Sequence, residues 1–207
     1  MLIVGLTGSI GMGKSTVAAG LRARGIAVCD ADAEVHRLYE GEAVAPVEAA
    51  FPGSTEKGRI NRAKLAQALL ADPSGFKRLE AIVHPLVFEA ERRFLSAEHA
   101  RGAGLAVLEI PLLLEGGGEK RVDATVVVSA PAALQRARVL LRDGMTEAKL
   151  AAILARQMSD AEKRRRADFV VDTGGTIAHS LAQLDSILAA LAGRPARAFV
   201  DHWQVTR

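Results

Sequence analysis

The stretch Gly8-Ser9-Ile10-Gly11-Met12-Gly13-Lys14-Ser15 matches the phosphate-loop pattern GxxxxGK[ST] in full. An apolar run, Leu2-Ile3-Val4-Gly5-Leu6, leads into it, and a run of helical character, Ser15 to Arg24, follows. The chemistry needs that order. A strand delivers the chain, glycines let successive backbone N–H groups turn inward around phosphate oxygens, and a helix N-terminus adds its positive end. Gly8, Gly11, Met12, Gly13, Lys14, Ser15 and Thr16 are therefore the candidate nucleotide-binding residues. Lys14 can reach the β- and γ-phosphates of ATP, and the Ser15 hydroxyl is the candidate ligand for Mg²⁺.

Outward from the loop, the chain has 207 residues, enough for one α/β domain with an insertion. Apolar residues make up 49% and aromatics only 4%, so the core is expected to be aliphatic. A net charge of +3 suits an anionic ligand but is too small to argue for nucleic acid. Cys29 is the single cysteine, which excludes an intramolecular disulfide and predicts a reducing compartment. Its place at the end of an apolar run suggests a buried thiol. The chain opens directly in a strand with no charged leader, and no apolar stretch approaches the roughly 20 residues of a membrane span. A cytoplasmic monomer without membrane or nucleic-acid partners is expected.

Five apolar runs read as buried parallel strands: Leu2–Thr7, Ile26–Asp30, Leu105–Ile110, Ala124–Ser129 and Phe169–Asp172. Helical patterns fill the gaps, the clearest being Ile177, Leu181, Leu184, Leu188 and Leu191. Alternation of this kind predicts a doubly wound, three-layer α/β sandwich over residues 1–207. The long gap 31–104 reads as helical throughout, broken at Asp72-Pro73 and His84-Pro85, because the residue before proline resists the α conformation. It is expected to be a helical acceptor-binding insertion. The gap 131–167 is rich in arginine (Arg136, Arg138, Arg142, Arg156, Arg164, Arg165, Arg166), which suggests a lid over phosphates. Some of these arginines belong to ordinary solvated faces. Arg194-Pro195 ends the last helix, and residues 194–207 form a basic tail with Phe199 and Trp203 that packs back on the domain or is partly disordered.

Among phosphate-loop proteins, a guanine-reading switch needs Asn-Lys-x-Asp. The lone asparagine here, Asn61, is followed by Arg62. A transporter-type ATPase signature is also missing from the sequence. Size, insertion and lid favour a small-molecule kinase. Asp30 and Asp32 stand where the second strand emerges, and ligands of open α/β sheets bind outside the carboxyl ends of strands. One of the two can take the proton of an attacking hydroxyl, and one can cap the next helix. Asp32 is favoured as the base.

The chain also resembles the dephospho-CoA kinase family. Gly5 to Thr16 is similar to that family's loop, and Asp30-Ala31-Asp32 to its aspartate pair. Asn61-Arg62 with Leu65, then Leu79, Ile82, His84 and Pro85, resemble acceptor-side elements. Pro111-Leu112-Leu113-Leu114-Glu115, then Gln135, Arg138 and Arg142, then Ala167-Asp168 with Asp172, resemble later blocks. The resemblance implies a P-loop nucleoside-kinase-like fold with a five-stranded sheet, ATP and Mg²⁺ as cofactors, and dephospho-CoA as the substrate. It implies acceptor contacts from Asp30, Asp32, Arg62, His84, Pro85, Leu112 and Glu115. It also implies catalysis by Asp32, Lys14 and Arg142, and places Thr173 beside the adenine. Thr173 stands where asparagine is common, Leu114 where phenylalanine is common, and Ile153 where many members have arginine. Arg156 is the candidate to compensate for the last.

Overall fold

The structure is a computed structural model describing residues 1–72 and 74–204. Pro73, part of the expected break, and the last three tail residues lie outside the described residues. The chain divides into two compact units, Met1–Cys29 with Leu95–Arg207, and Asp30–Phe94.

The first unit is built on a parallel sheet. Its strands are β1 (Leu2–Thr7), β2 (Ala27–Asp30, whose last residue opens the second unit), β5 (Leu105–Glu109), β6 (Ala124–Ser129) and β7 (Phe169–Asp172). They lie in the order β2-β5-β1-β6-β7. β1 pairs in parallel with β5 (Val4 opposite Val107) and with β6 (Leu6 opposite Val126), and β6 pairs in parallel with β7. The order reverses at β1, so the loop after β1 sits at the switch point, the ligand site of open α/β sheets. Helix α1 (Lys14–Ala23) and helix α9 (Ile177–Leu191) bring Val17, Leu21, Leu184, Ile187 and Leu191 against Val4, Leu6, Val126 and Val171. Three helices occupy the arginine-rich stretch: α6 (Ala132–Leu140), α7 (Glu147–Leu154) and α8 (Asp160–Arg166).

The tail packs back. Trp203 is 1% exposed and its Nε1 donates to the Arg121 carbonyl at 2.8 Å, while Phe199 stacks on His99 with centroids 4.2 Å apart. Asp123 fixes the turn into it. One carboxylate oxygen accepts from the N–H groups of Arg197 and Ala198, and the other from that of Ile3. Cys29 is buried, as expected.

The second unit holds α2 (Ala31–Leu38), α3 (Val44–Ala50), α4 (Arg62–Ala71) and most of α5 (Gly75–Ala100). Its own core joins Leu38, Val47, Phe51, Ile60, Leu65 and Leu69. Two sequence expectations are corrected here. The stretch is not wholly helical: β3 (Thr55–Glu56) and β4 (Arg59–Ile60) form an antiparallel hairpin. Its two turn residues, Lys57 and Gly58, have φ of 52° and 75°, as a two-residue turn matched to strand twist requires. Nor does His84-Pro85 break a helix, since α5 runs through Pro85. A proline inside a helix costs about 3 kcal/mol. Here Val83 is buried and Leu79, Ile82, Leu86 and Val87 pack on the unit's core from both sides of it, which offsets that cost. α4 does end at Ala71, with Asp72 extended as its C-cap. The unit stops at Phe94, short of the expected end at residue 104. No helix among the described residues is long and apolar enough to cross a membrane.

Candidate active site

The loop leaves β1 and turns on Gly11 and Gly13, whose φ values are 76° and 86°. Side chains at either would be strained, and a Cβ on Gly11 would meet Val139 on α6 at 2.5 Å. Gly8 is needed for a different reason. A Cβ there would come within 2.7 Å of the Val128 carbonyl on β6. Gly13 is the N-cap of α1, so the first amides of that helix face the concavity, where an anion is favoured. A cavity of about 360 Å³ opens there, lined by Gly11, Gly13, Ser15, Thr16, Arg138, Arg142, Thr173, Gly175, Ile177 and Ser180.

Not every expected loop residue faces this cavity. Met12 is 2% exposed, and its Sδ accepts from the Ala130 N–H at 3.1 Å, so its side chain anchors the loop from beneath. Thr173 lines the cavity, but its hydroxyl turns to the loop and donates to the Met12 carbonyl at 2.7 Å. Lys14 Nζ is 2.7 Å from Glu109 at the end of β5, and Arg22 stands 3.7 Å from the same carboxylate.

The arginines of 131–167 sort into distinct groups. Arg138 donates to the Thr173 carbonyl at 2.7 Å, and Arg142, just past α6, lines the cavity. Arg136 pairs with Glu147, Arg165 with Glu162 and Arg166 with Glu119 as exposed or half-exposed ion pairs. Arg156 is exposed and does not line the cavity. Glu115 is occupied by this same stretch. Its Oε1 accepts from the Met158 N–H at 2.8 Å and lies 3.0 Å from Nζ of the fully buried Lys163. That network ties the segment after α7 to the loop following β5 through Oε1 of Glu115, while its buried Oε2 has no hydrogen-bond partner among the described residues. Leu112, in that same loop, is 47% exposed.

The second unit has a cavity of about 410 Å³, lined by Asp32, Val35, His36, Tyr39, Arg62, Leu65, Ala66, Leu69 and Leu79. The geometry separates the two aspartates. Asp30 caps α2, accepting from the Asp32 and Ala33 N–H groups at 2.9 and 3.2 Å, whereas Asp32 in the first turn lines the cavity. Asn61 caps α4 in the same way and sets Arg62 at its start, 5.6 Å above the Tyr39 ring. Burial raises the Tyr39 phenol above its ordinary pKa against the opposing pull of Arg62, so Tyr39 stays a neutral hydroxyl at pH 7. His84 and Pro85 are exposed on α5 and do not line this cavity. His36 and Tyr39 were missed by sequence reasoning. They follow Asp32 at helical spacing along α2 and its cap, a periodicity that could have found them.

A phosphate loop at the switch point of a five-stranded sheet in this order, with arginines beside the phosphate concavity, defines a P-loop kinase. The sequence profile described as dephospho-CoA kinase matches residues 2–179. The dephospho-CoA kinase of Rhodopseudomonas palustris (strain HaA2) is 55% identical over 197 residues, covering 95% of this chain and 99% of that one. The structure of TT1252 from Thermus thermophilus is similar with a TM-score of 0.79 at 41% identity, over 93% of this chain and 98% of that one. The dephospho-CoA kinase from Campylobacter jejuni shares the fold, with a TM-score of 0.70 at 22% identity over 91% and 96% of the two chains. The chain belongs to the dephospho-CoA kinase family, and it is an ATP-dependent kinase.

Proposed function

We propose that this chain transfers the γ-phosphoryl group of ATP to the ribose 3′-hydroxyl of dephospho-CoA, giving coenzyme A and ADP. The loop cavity, where glycine backbone, a helix N-terminus and Arg142 converge, carries the nucleotide half of this reading. Loop amides and Lys14 hold the β- and γ-phosphates, and Lys14 exchanges its Glu109 partner for phosphate oxygen. Ser15, a hard oxygen donor opening into the cavity, fits a magnesium ion, which in such sites takes only one or two protein oxygens besides phosphate and water. Bound there, the ion neutralises phosphate charge.

The remaining roles fall to the chain's own groups. Asp32 orients the acceptor hydroxyl and takes its proton as the oxygen attacks phosphorus and the bond to the β,γ-bridging oxygen breaks. Arg142 stabilises charge on the transferred group, with Arg138, held by the Thr173 carbonyl, beside the same cavity in support. In the second unit, Arg62 faces an anionic group of dephospho-CoA, and the apolar wall of Leu65, Leu69 and Leu79 takes its less polar portion. Residues 131–167 act as a lid that excludes water. The enzyme works as a cytoplasmic monomer.

The test is ADP release from ATP and Mg²⁺ with dephospho-CoA, adenosine or AMP as acceptor. Release that depends on dephospho-CoA, with a product of coenzyme A mass, is the expected result. ATP binding without stimulation by dephospho-CoA would overturn the acceptor assignment.

A further inference from the structure

We infer that Gln135 and Gln157 are positioning residues that clamp the phosphate loop at Ile10, one acting only as a hydrogen-bond donor and the other only as an acceptor. The main-chain N–H of Ile10 donates to Gln157 Oε1 at 3.2 Å, and its carbonyl accepts from Gln135 Nε2 at 2.8 Å. Both polar groups of one loop residue are thus met by side chains from distant segments. Gln135 comes from α6 and is 6% exposed. Gln157 follows α7 and is half-buried.

The clamp has a physical reason. Gly11 and Gly13 give the loop its shape and also its freedom, since glycine backbone accepts many conformations. Amides that bind phosphate well must already point inward before binding. Holding Ile10 on both sides fixes the residue that enters the first of these glycines, and Thr173 holds Met12 between them. The segment carrying Gln157 is itself fastened, because the next residue, Met158, donates to Glu115. Loop geometry therefore depends on the placement of residues 131–163, which couples the arginine-bearing stretch to the phosphate amides. This rests on the reading that the loop holds ATP phosphates.

One chemical change separates the two roles. Gln157→Glu keeps an oxygen that accepts from the Ile10 N–H. Gln135→Glu removes the donor and sets a buried carboxylate against a carbonyl oxygen. Gln135→Glu is expected to raise the KM for ATP by about tenfold or more, the scale of a buried charged group left unpaired, with the KM for dephospho-CoA near wild type. Gln157→Glu is expected to stay within about twofold of wild type, while Gln157→Leu, which deletes the acceptor, raises the KM for ATP several-fold. Because Gln157 is half-buried, its variants fold even if a carboxylate at 135 disrupts packing.

Amide hydrogen exchange at Ile10 in nucleotide-free protein reads the same clamp without any activity. Faster exchange in Gln157→Leu with wild-type exchange in Gln157→Glu is the expected pattern, and it holds whatever the loop binds. ADP-induced shifts of the 11–15 amides in wild type check the loop assignment separately. Unchanged Ile10 exchange and unchanged KM for ATP in Gln157→Leu would overturn the clamp. So would equal kinetic effects of the two glutamate substitutions in folded protein.

Discussion

The two cavities are made of different material. In the first unit the lining includes three glycines that can offer only main chain, Gly11, Gly13 and Gly175, two of them left-handed, beside the start of α1, Thr173 and two arginines. In the second unit no glycine lines the cavity; its walls come from α2 and its cap, α4 and α5, with Tyr39, Leu65, Leu69 and Leu79 among them and Asp32 and Arg62 supplying charge. Backbone amides suit a ligand portion that is always the same, a chain of phosphates. Side chains suit a portion that must be told apart from other acceptors, because shape and charge can be varied residue by residue. The comparison predicts that damage to the first cavity acts on the nucleotide and the charge of its phosphates, and that damage to the second acts on the acceptor, through its binding or, at Asp32, through activation of its hydroxyl.

The largest expected effect comes from Lys14→Ala, which removes the loop cation proposed to hold the β- and γ-phosphates and should lower turnover by about 10⁴-fold or more. A rate near wild type would break the assignment of the loop. Asp32→Asn should lower kcat by about 10³-fold while leaving nucleotide affinity nearly unchanged. If Asp30→Asn alone did this, the cap and the base would have to be exchanged. Arg142→Ala should slow transfer by about 10²-fold with dephospho-CoA binding near normal, and an unchanged kcat would return that arginine to the solvated face.

The smallest effect lies away from both cavities. Asp168 ties β7 to β6 by accepting from Thr125, and it pairs with Arg194. Burial raises its pKa, but the Thr125 and Arg194 hydrogen bonds outweigh that and leave it lowered. A carboxyl lowered in the folded state stabilises fully above its unfolded pKa of about 3.9, and that stability is lost as pH falls through the folded value. Asp168→Asn should therefore lower Tm by about 2–4 °C at pH 7, a difference that shrinks below about pH 4, with both KM values unchanged.

The same contrast explains what could be read in the residues alone. β1, β6 and β7 were expected at the bounds observed: β1 and β6 are buried along their whole length and so show as apolar runs, and the edge strand β7 shows through Phe169-Val170-Val171. Conformational demand makes glycine obligatory in the loop, so the loop leaves a pattern. The hairpin left almost none: its strands are two residues each and carry Thr55, Glu56 and Arg59, with only Lys57-Gly58 to mark the turn. α5 passes Pro85 because tertiary packing overrides a local rule, which no local pattern records. Gln157 was invisible in its role, since it meets a loop residue 147 positions away through one side-chain oxygen. The second cavity was legible at Asp32 and Arg62 and, through the family resemblance alone, at Leu65 and Leu79. Its apolar walls look like any helix core.

The division of labour itself is tested most directly by the Michaelis constants of Arg62→Ala for both substrates. The KM for dephospho-CoA should rise about tenfold, the loss of a charged hydrogen-bond donor, while the KM for ATP stays within about twofold. A KM for ATP that rises equally, or a KM for dephospho-CoA that does not move, would contradict the account.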